Sequence, residues 1–245
     1  MNKKLEDLGI LVGLLLTDGC VSSGKFLIFH NKAEAMHELF REKVSKIFGD
    51  VHFTQRMESN GTKRTQVTSK AIVKKLIKMC GIKTFRRKQF ENGKFPPIRL
   101  PAFFKKLSKS TILKILRVIF SADGSISLSV RWHKRNNSWE IRRRIELTCK
   151  HPKLRSDFFE LIKKAGFSPR LSGENITLER KNDILKFSKE VRFIPGVKAG
   201  GDSKHWKGFE KNQILDLAVK TFKLKKKNLK VFDKKEKIID FLKSL

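Results

Sequence analysis

One segment occurs twice in this chain. Leu11-Val-Gly-Leu-Leu-Leu-Thr-Asp18-Gly19 and Leu116-Arg-Val-Ile-Phe-Ser-Ala-Asp123-Gly124 are both apolar runs closed by a small residue and Asp-Gly. A repeated unit constrains a fold more than any local propensity, because both copies must bury the same face. The stretches downstream of the two copies are also alike. After the first come a short strand-like run (Lys25–His30), an amphipathic helix (Lys32–Phe48), two strand-like stretches (Val51–Arg56 and Arg64–Thr68) and a helix (Ser69–Cys80). After the second come a long hairpin (Ser125–His133 and Trp139–Lys150), a helix (Lys153–Ala165), two short strands (Phe167–Ser172 and Asn175–Glu179) and a helix (Lys181–Val191). Each half therefore reads helix, strand, strand, helix, strand, strand, helix. The expectation is an α+β chain of two pseudo-symmetric αββαββα halves. The boundaries fall at 1–104 and 105–222, with a basic helical tail over 223–245 and the Pro/Gly-containing stretch Phe85–Pro101 as the connector.

Charge sets the partner. The 245 residues carry 56 Lys+Arg against 24 Asp+Glu, a net +32 at pH 7. Unbalanced positive charge of this size favours a polyanion, since each phosphate neutralised releases counterions. A hydrophobic fraction of 39% with 20 Phe excludes a disordered basic arm. The longest apolar run, Leu8–Leu16, is far short of the roughly 20 residues of a membrane span, so no membrane partner is expected. The acidic residues before that run and the lack of a cleavage site argue against a signal peptide. Cys20, Cys80 and Cys149 form no CxxC pair, which points to thiols packed as small apolar side chains in an intracellular compartment. No GxGxxG, GxxxxGK[ST] or HExxH is present, which leaves nucleotide cofactors and zinc proteolysis without support.

The repeated segment also carries chemistry. One Asp-Gly is an ordinary turn; two, each closing an apolar helix at the head of a similar half, are not. A carboxylate at a helix C-terminus opposes the dipole and requires a compensating cation. Packing the two helices together brings Asp18 and Asp123 close, and a hard divalent ion, Mg²⁺ by preference, answers that need and can bridge a scissile phosphate.

On these residues the chain resembles the LAGLIDADG homing endonucleases in their single-chain, two-motif form, from Leu8 to about Phe222. The resemblance implies that the motif helices pack at the domain interface and that two antiparallel sheets form a DNA-binding saddle. It also implies that Asp18 and Asp123 hold the metals, helped by the main-chain carbonyls of Thr17 and Ala122, with Mn²⁺ as a substitute and Ca²⁺ supporting binding without cleavage. Family members place a basic residue near each centre; Lys207, in Trp206-Lys207-Gly, and Lys94, in Gly93-Lys94-Phe95-Pro96, match best, with Lys88 behind Lys94. Two positions depart from the pattern: Val118 stands where a small mid-helix residue is expected, as Gly13 is in the first copy, and the sixth motif position is Leu16 and Ser121.

Alternation within the strands nominates the DNA contacts. In the long hairpin Arg131, His133, Arg142 and Arg144 fall on the polar face, and Arg suits guanine O6 and N7. In the first half His52, Thr54, Arg56, Arg64, Gln66 and Thr68 fall on the equivalent faces, with Gln66 suited to adenine. Glu is scarce in these runs. Trp132, Trp139 and Trp206 are assigned to packing rather than base stacking. Together these readings describe a Mg²⁺-dependent, site-specific double-strand endonuclease, acting as a monomer and leaving staggered 3′ overhangs. The terminal Lys-Ser-Leu lacks an intein's His-Asn, so an intron-encoded enzyme is the expectation. An intron RNA maturase and a catalytically silent DNA-binding protein are the alternatives on the same fold.

Overall fold

A computed structural model of the protein describes residues 3–82, 84–200, 203–224, 229 and 232–245. The sequence positions the centre of the fold through helix α1, Lys3–Leu15, which is buried from Asp7 onward on every side. A helix apolar all round must lie inside. Helix α4, Lys109–Asp123, packs along it; it starts where the Ser108 hydroxyl accepts the Thr111 N–H at 3.3 Å. Glycine makes the approach close. A Cβ at Gly9 would meet Ile115 Cδ1 at 2.6 Å, while one at Gly13 would sit 3.8 Å from Val118 Cγ1 and 3.5 Å from Ile115 and Ile119. Val118 thus fills the space beside Gly13, so the departure from the small-residue pattern leaves no loose seam.

The two halves repeat as expected. In the first, β1 (Gly19–Ser22), β2 (Phe26–Asn31), α2 (Glu34–Phe48), β3 (Thr54–Met57), β4 (Lys63–Thr68) and α3 (Lys70–Cys80) follow α1. In the second, β5 (Gly124–His133), β6 (Ser138–Thr148), α5 (Pro152–Lys164), β7 (Arg170–Ser172), β8 (Asn175–Leu178) and α6 (Lys181–Glu190) follow α4. The sheets are antiparallel with orders β1-β2-β4-β3 and β5-β6-β8-β7, the same topology twice. Two further helices, α7 (Lys211–Lys220) and α8 (Lys235–Lys243), close the chain, and Ile238, Ile239 and Leu242 of α8 are buried as the tail's apolar spacing predicts. None of the helices among the described residues is long and apolar enough to cross a membrane.

The connector between halves is irregular up to a 3₁₀ turn at Ala102–Lys106. It is nonetheless anchored. The Leu100 N–H and the Arg99 guanidinium both reach the Asp157 carboxylate, at 2.8 and 2.5 Å. His151 Nδ1 accepts the Leu154 N–H, so its Nε2–H is left to donate to the Pro96 carbonyl at 2.7 Å.

Gly19 and Gly124 are required for a reason other than the helix-stop role of glycine. Neither has a positive φ. Each begins a strand directly against the helix it leaves, so a Cβ at Gly19 would lie 2.6 Å from Leu15 Cα and one at Gly124 2.6 Å from the Phe120 carbonyl oxygen. Backbone cannot move aside as a side chain can. Gly124→Ala is therefore expected to lower unfolding stability by about 1–3 kcal/mol, read as the shift in a urea midpoint; an unshifted midpoint would show that the strand start has slack.

Candidate active site and nucleic-acid interface

The last residue of α4 is Asp123, and Asp18 lies just past the end of α1 in the turn that leads to β1. Packing of α1 on α4 brings both carboxylates to the wall of one cavity of about 740 Å³, which Asn31, Ala122 and Lys211 also line. Burial is the main cause that pushes Asp18 up to about 6, and the Asp123 charge adds to it; Asn31, Arg87 and Lys211 pull it back down. Asp123 is likewise raised by burial, against the pull of Arg87 and Lys211. Two like charges held in a half-desolvated cavity form a site short of positive charge.

Each carboxylate has its own partner. The Asn31 amide, at the end of β2, donates to Asp18 Oδ2 at 2.6 Å, and its Oδ1 accepts the Ala33 N–H at 2.8 Å. Behind it, buried His37 faces the Asn31 carbonyl with Nε2 at 3.0 Å and the Thr65 hydroxyl with Nδ1 at 2.8 Å. A carbonyl only accepts, so Nε2 carries the proton and Nδ1 accepts from Thr65. Burial lowers the His37 pKa, which keeps this neutral tautomer. Gln55 Nε2 donates to the Thr65 oxygen at 3.1 Å and completes the chain. In the second half the strand register places Cys149 where Asn31 stands. A thiol cannot replace an amide donor, and instead the Arg87 guanidinium comes from the connector to Asp123 Oδ2 at 2.5 Å.

Lys211 completes the cavity. Its Nζ is buried and donates to the carbonyls of Ser121 and Gly124 at 2.8 and 2.6 Å. Those carbonyls belong to the C-terminal end of α4, where the dipole favours a cation. Burial pushes the ammonium down to about 8, while Asp18 and Asp123 hold it up. The cations that offset the helix-end carboxylates are thus Arg87 of the connector and Lys211 of α7.

The other nominated residues are placed differently. Ala122 lines the cavity; Thr17 is fully buried, its hydroxyl donating to the Gly13 carbonyl at 2.9 Å. Lys207 and Lys94 are exposed, and neither borders a cavity with the carboxylates. Lys88 lines a second cavity of about 850 Å³ on the other side of Asp123, together with Arg87. The basic residues whose charges act on both Asp18 and Asp123 are Arg87 and Lys211, and sequence reasoning missed both. Lys211 was signalled weakly, as the cation at the first position of an apolar helix one turn after Lys207. Arg87 stands in an Arg-Arg-Lys run with nothing to distinguish it.

Register settles the strand faces. Thr54, Arg56, Arg64, Gln66 and Thr68 share one face of the first sheet, while His52 is exposed ahead of β3 and lies on no strand. Arg131, Arg142 and Arg144 share one face of the second. His133 belongs to that face by register but is half-buried, with Nδ1 lacking a partner among the described residues. The expected scarcity of Glu is corrected by the contacts. Arg142 pairs with Glu140 at 3.4 Å, Arg144 with Glu146 and Glu179 at 2.8 and 2.7 Å, and Arg56 with Glu58 at 3.0 Å. Such exposed pairs contribute little and exchange readily for phosphate.

Comparison with solved structures gives the doubled α+β architecture its name. The I-SmaMI LAGLIDADG homing endonuclease bound to cleaved DNA matches with a TM-score of 0.57 at 13% identity, over 97% of this chain and 95% of that one. The LAGLIDADG meganuclease I-AabMI bound to uncleaved DNA matches at 0.55 and 11%, over 97% and 98%. Full-length DUF199/WhiA from Thermatoga maritima matches at 0.52 and 11%, over 100% of this chain and 67% of that one. No family model and no curated protein matches the sequence. At these identities the likeness establishes a shared fold, the LAGLIDADG fold in its two-half, single-chain form.

Proposed function

We propose that this protein is a site-specific DNA endonuclease that uses divalent metal, Mg²⁺ or Mn²⁺, and acts as a monomer on a double-stranded target. The observation that carries the reading is the convergence of Asp18, Asp123 and buried Lys211 on one cavity at the junction of the halves. Among the described residues no third acidic, His or Cys side chain completes a closed metal cage there. That donor set suits magnesium, which is held by one or two carboxylates and takes its remaining ligands from water and substrate phosphates. Asp18 and Asp123 would hold it, and Ala122, which lines the same cavity, would assist through its main-chain carbonyl. When bound, the ion lowers the pKa of a water and neutralises charge on the phosphate.

The chain's own residues then have distinct tasks. The Asn31 amide fixes the rotamer of Asp18 and leaves Oδ1 free of that contact. Arg87 does the same for Asp123 and adds a positive charge. Lys211 keeps a cation beside the phosphate site in a low-dielectric wall, where it offsets the negative charge that develops in the transition state. The strand faces that carry Arg56, Arg64 and Gln66 in one half and Arg131, Arg142 and Arg144 in the other supply groove contacts. Intron encoding and staggered 3′ overhangs, which the sequence resemblance implies, belong to the same proposal.

The test is incubation of the full chain with DNA spanning the uninterrupted host locus, with and without Mg²⁺. Cleavage at one site in both strands, only with metal, is the expected result. Tight binding to DNA without cleavage would leave a silent DNA-binding protein, and binding confined to intron RNA would leave a maturase; either outcome overturns the endonuclease.

Cleavage should also follow pH. Asp18 must lose its proton to serve as a ligand, so activity is expected to rise as pH passes through about 6. At Mg²⁺ concentrations too low to displace the proton, a rate already at its plateau at pH 5 would contradict the raised carboxylate.

A further inference from the structure

The two halves differ most in one hairpin. In each, the first strand leaves its carboxylate and its partner strand returns: Gly19 pairs with Phe29 and Gly124 with Leu147. Matching those pairs sets Ser22 on Ser127 and Phe26 on Arg144. The first-half hairpin turns at that point, through Ser23 and Gly24 with φ of 52° and 62°. In the second half pairing continues for six more rungs, from Leu128↔Arg143 out to His133↔Ser138. The third strand, β8, stops at Ile145↔Leu178, so the extension is a two-stranded ribbon.

A bare two-stranded ribbon is marginally stable in water. This one is held from behind. Trp206 Nε1 donates to the Leu128 carbonyl at 2.7 Å and Trp139 Nε1 to the Phe232 carbonyl at 2.9 Å. Arg143, on the covered face, donates to the Thr221 hydroxyl and carbonyl at 2.7 and 2.8 Å and lies 4.4 Å from the centre of the Phe222 ring. Helices α7 and α8 both pack on β5. Every one of these supports comes from chain beyond α6. The first half has no such segment, because α3 runs into the connector. The opposite face of the ribbon presents Arg131 and Arg142 to solvent, with Glu140 beside them paired to Arg142.

We propose that the ribbon is a braced arm that reads DNA beyond the four-stranded sheet on one side only. The inference rests on the proposed DNA-cleaving function. Six residues of strand add about 20 Å, which is about six base pairs of duplex. The target is accordingly lopsided: the half engaged by the second sheet carries sequence requirements about six base pairs further from the cut than the other half. Trp206, Thr221, Phe222, Phe232 and helices α7 and α8 are the arm's brace, and, Lys211 apart, they have no part in the chemistry.

The experiment is selection of a randomised duplex library on the full chain in Ca²⁺, followed by the same selection with two variants. The expected consensus has one flank about six base pairs longer. Arg131→Ala, an exposed change that leaves the core untouched, lowers discrimination in that outer flank about tenfold and leaves the opposite flank intact. Trp139→Phe keeps an aromatic side chain and loses the bond to Phe232, and it blurs the same outer positions with the inner ones preserved. Flanks of equal length, or an Arg131→Ala effect shared by both, overturn the arm. Full outer discrimination in Trp139→Phe overturns the brace. A library with no enriched sequence overturns the proposed function itself, which separates that failure from the others.

Discussion

Asp18→Asn is expected to reduce double-strand cleavage by at least about 10³-fold, since it removes one of two charged ligands for the ion that activates water. Duplex binding in Ca²⁺ is retained, and in EDTA it tightens, because a carboxylate facing phosphate is gone. The same change should stabilise the metal-free protein. The folded pKa of Asp18, about 6, lies above its unfolded value, so the folded state binds the extra proton. Stability therefore falls as pH rises from about 4 to about 6, and at pH 7 the full penalty of the buried charge is present. Relieving it is worth up to about 3 kcal/mol, at about 1.4 kcal/mol per pKa unit. Melting curves of both proteins in EDTA at pH 7 read the gain. Nicking of both strands at the native rate by Asp18→Asn would refute the metal assignment, and a loss of stability would refute the strained carboxylate pair.

The second large effect is expected from Lys211→Met. Met keeps the length and apolar stem but removes the buried cation. Cleavage should fall about 10²- to 10³-fold, as it does when one preorganised electrostatic contact to a transition state is lost. A structural role alone would lower stability, since the Ser121 and Gly124 carbonyls lose their donor, by roughly 1–3 kcal/mol. The pH profile separates the two roles. Lys211 holds both carboxylates down, so its removal must move the rising limb of the cleavage profile above pH 6. A folded Lys211→Met protein with native rate and an unmoved limb would remove Lys211 from the site. Lys211→Arg is not expected to rescue, because the planar guanidinium cannot occupy the compact space an ammonium fills between two carbonyls.

The parts of the site that are legible in the chain share a property: they are local. Leu8–Leu16 had to be a buried helix, and Asp18 and Asp123 had to end helices, because apolar runs and Asp-Gly turns are properties of neighbouring residues. Strand alternation gave the correct face for Arg131, Arg142 and Arg144, since parity survives uncertainty about strand ends. His52 was misplaced because it precedes β3, which begins at Thr54, where a boundary error of a few residues removes a position from the strand. The ion pairs of Arg142 and Arg144 were invisible for another reason. Glu140 and Glu146 are visible in the chain, but their contacts depend on two-residue spacing along one face, and Glu179 reaches that face from after β8.

By itself, then, the sequence determined the duplicated α+β plan, the two carboxylates and the demand for a cation beside them, because periodicity, turn chemistry and net charge need no long-range information. Which cations answer that demand was decided only by the tertiary structure. With 56 Lys+Arg in the chain, composition cannot choose among them. Arg87 arrives from an irregular connector and Lys211 from a helix far along the chain, and neither separation in sequence measures their separation in space. The choice was made by the packing of α7 against the end of α4, where burial turns one lysine among many into the counter-charge of the site.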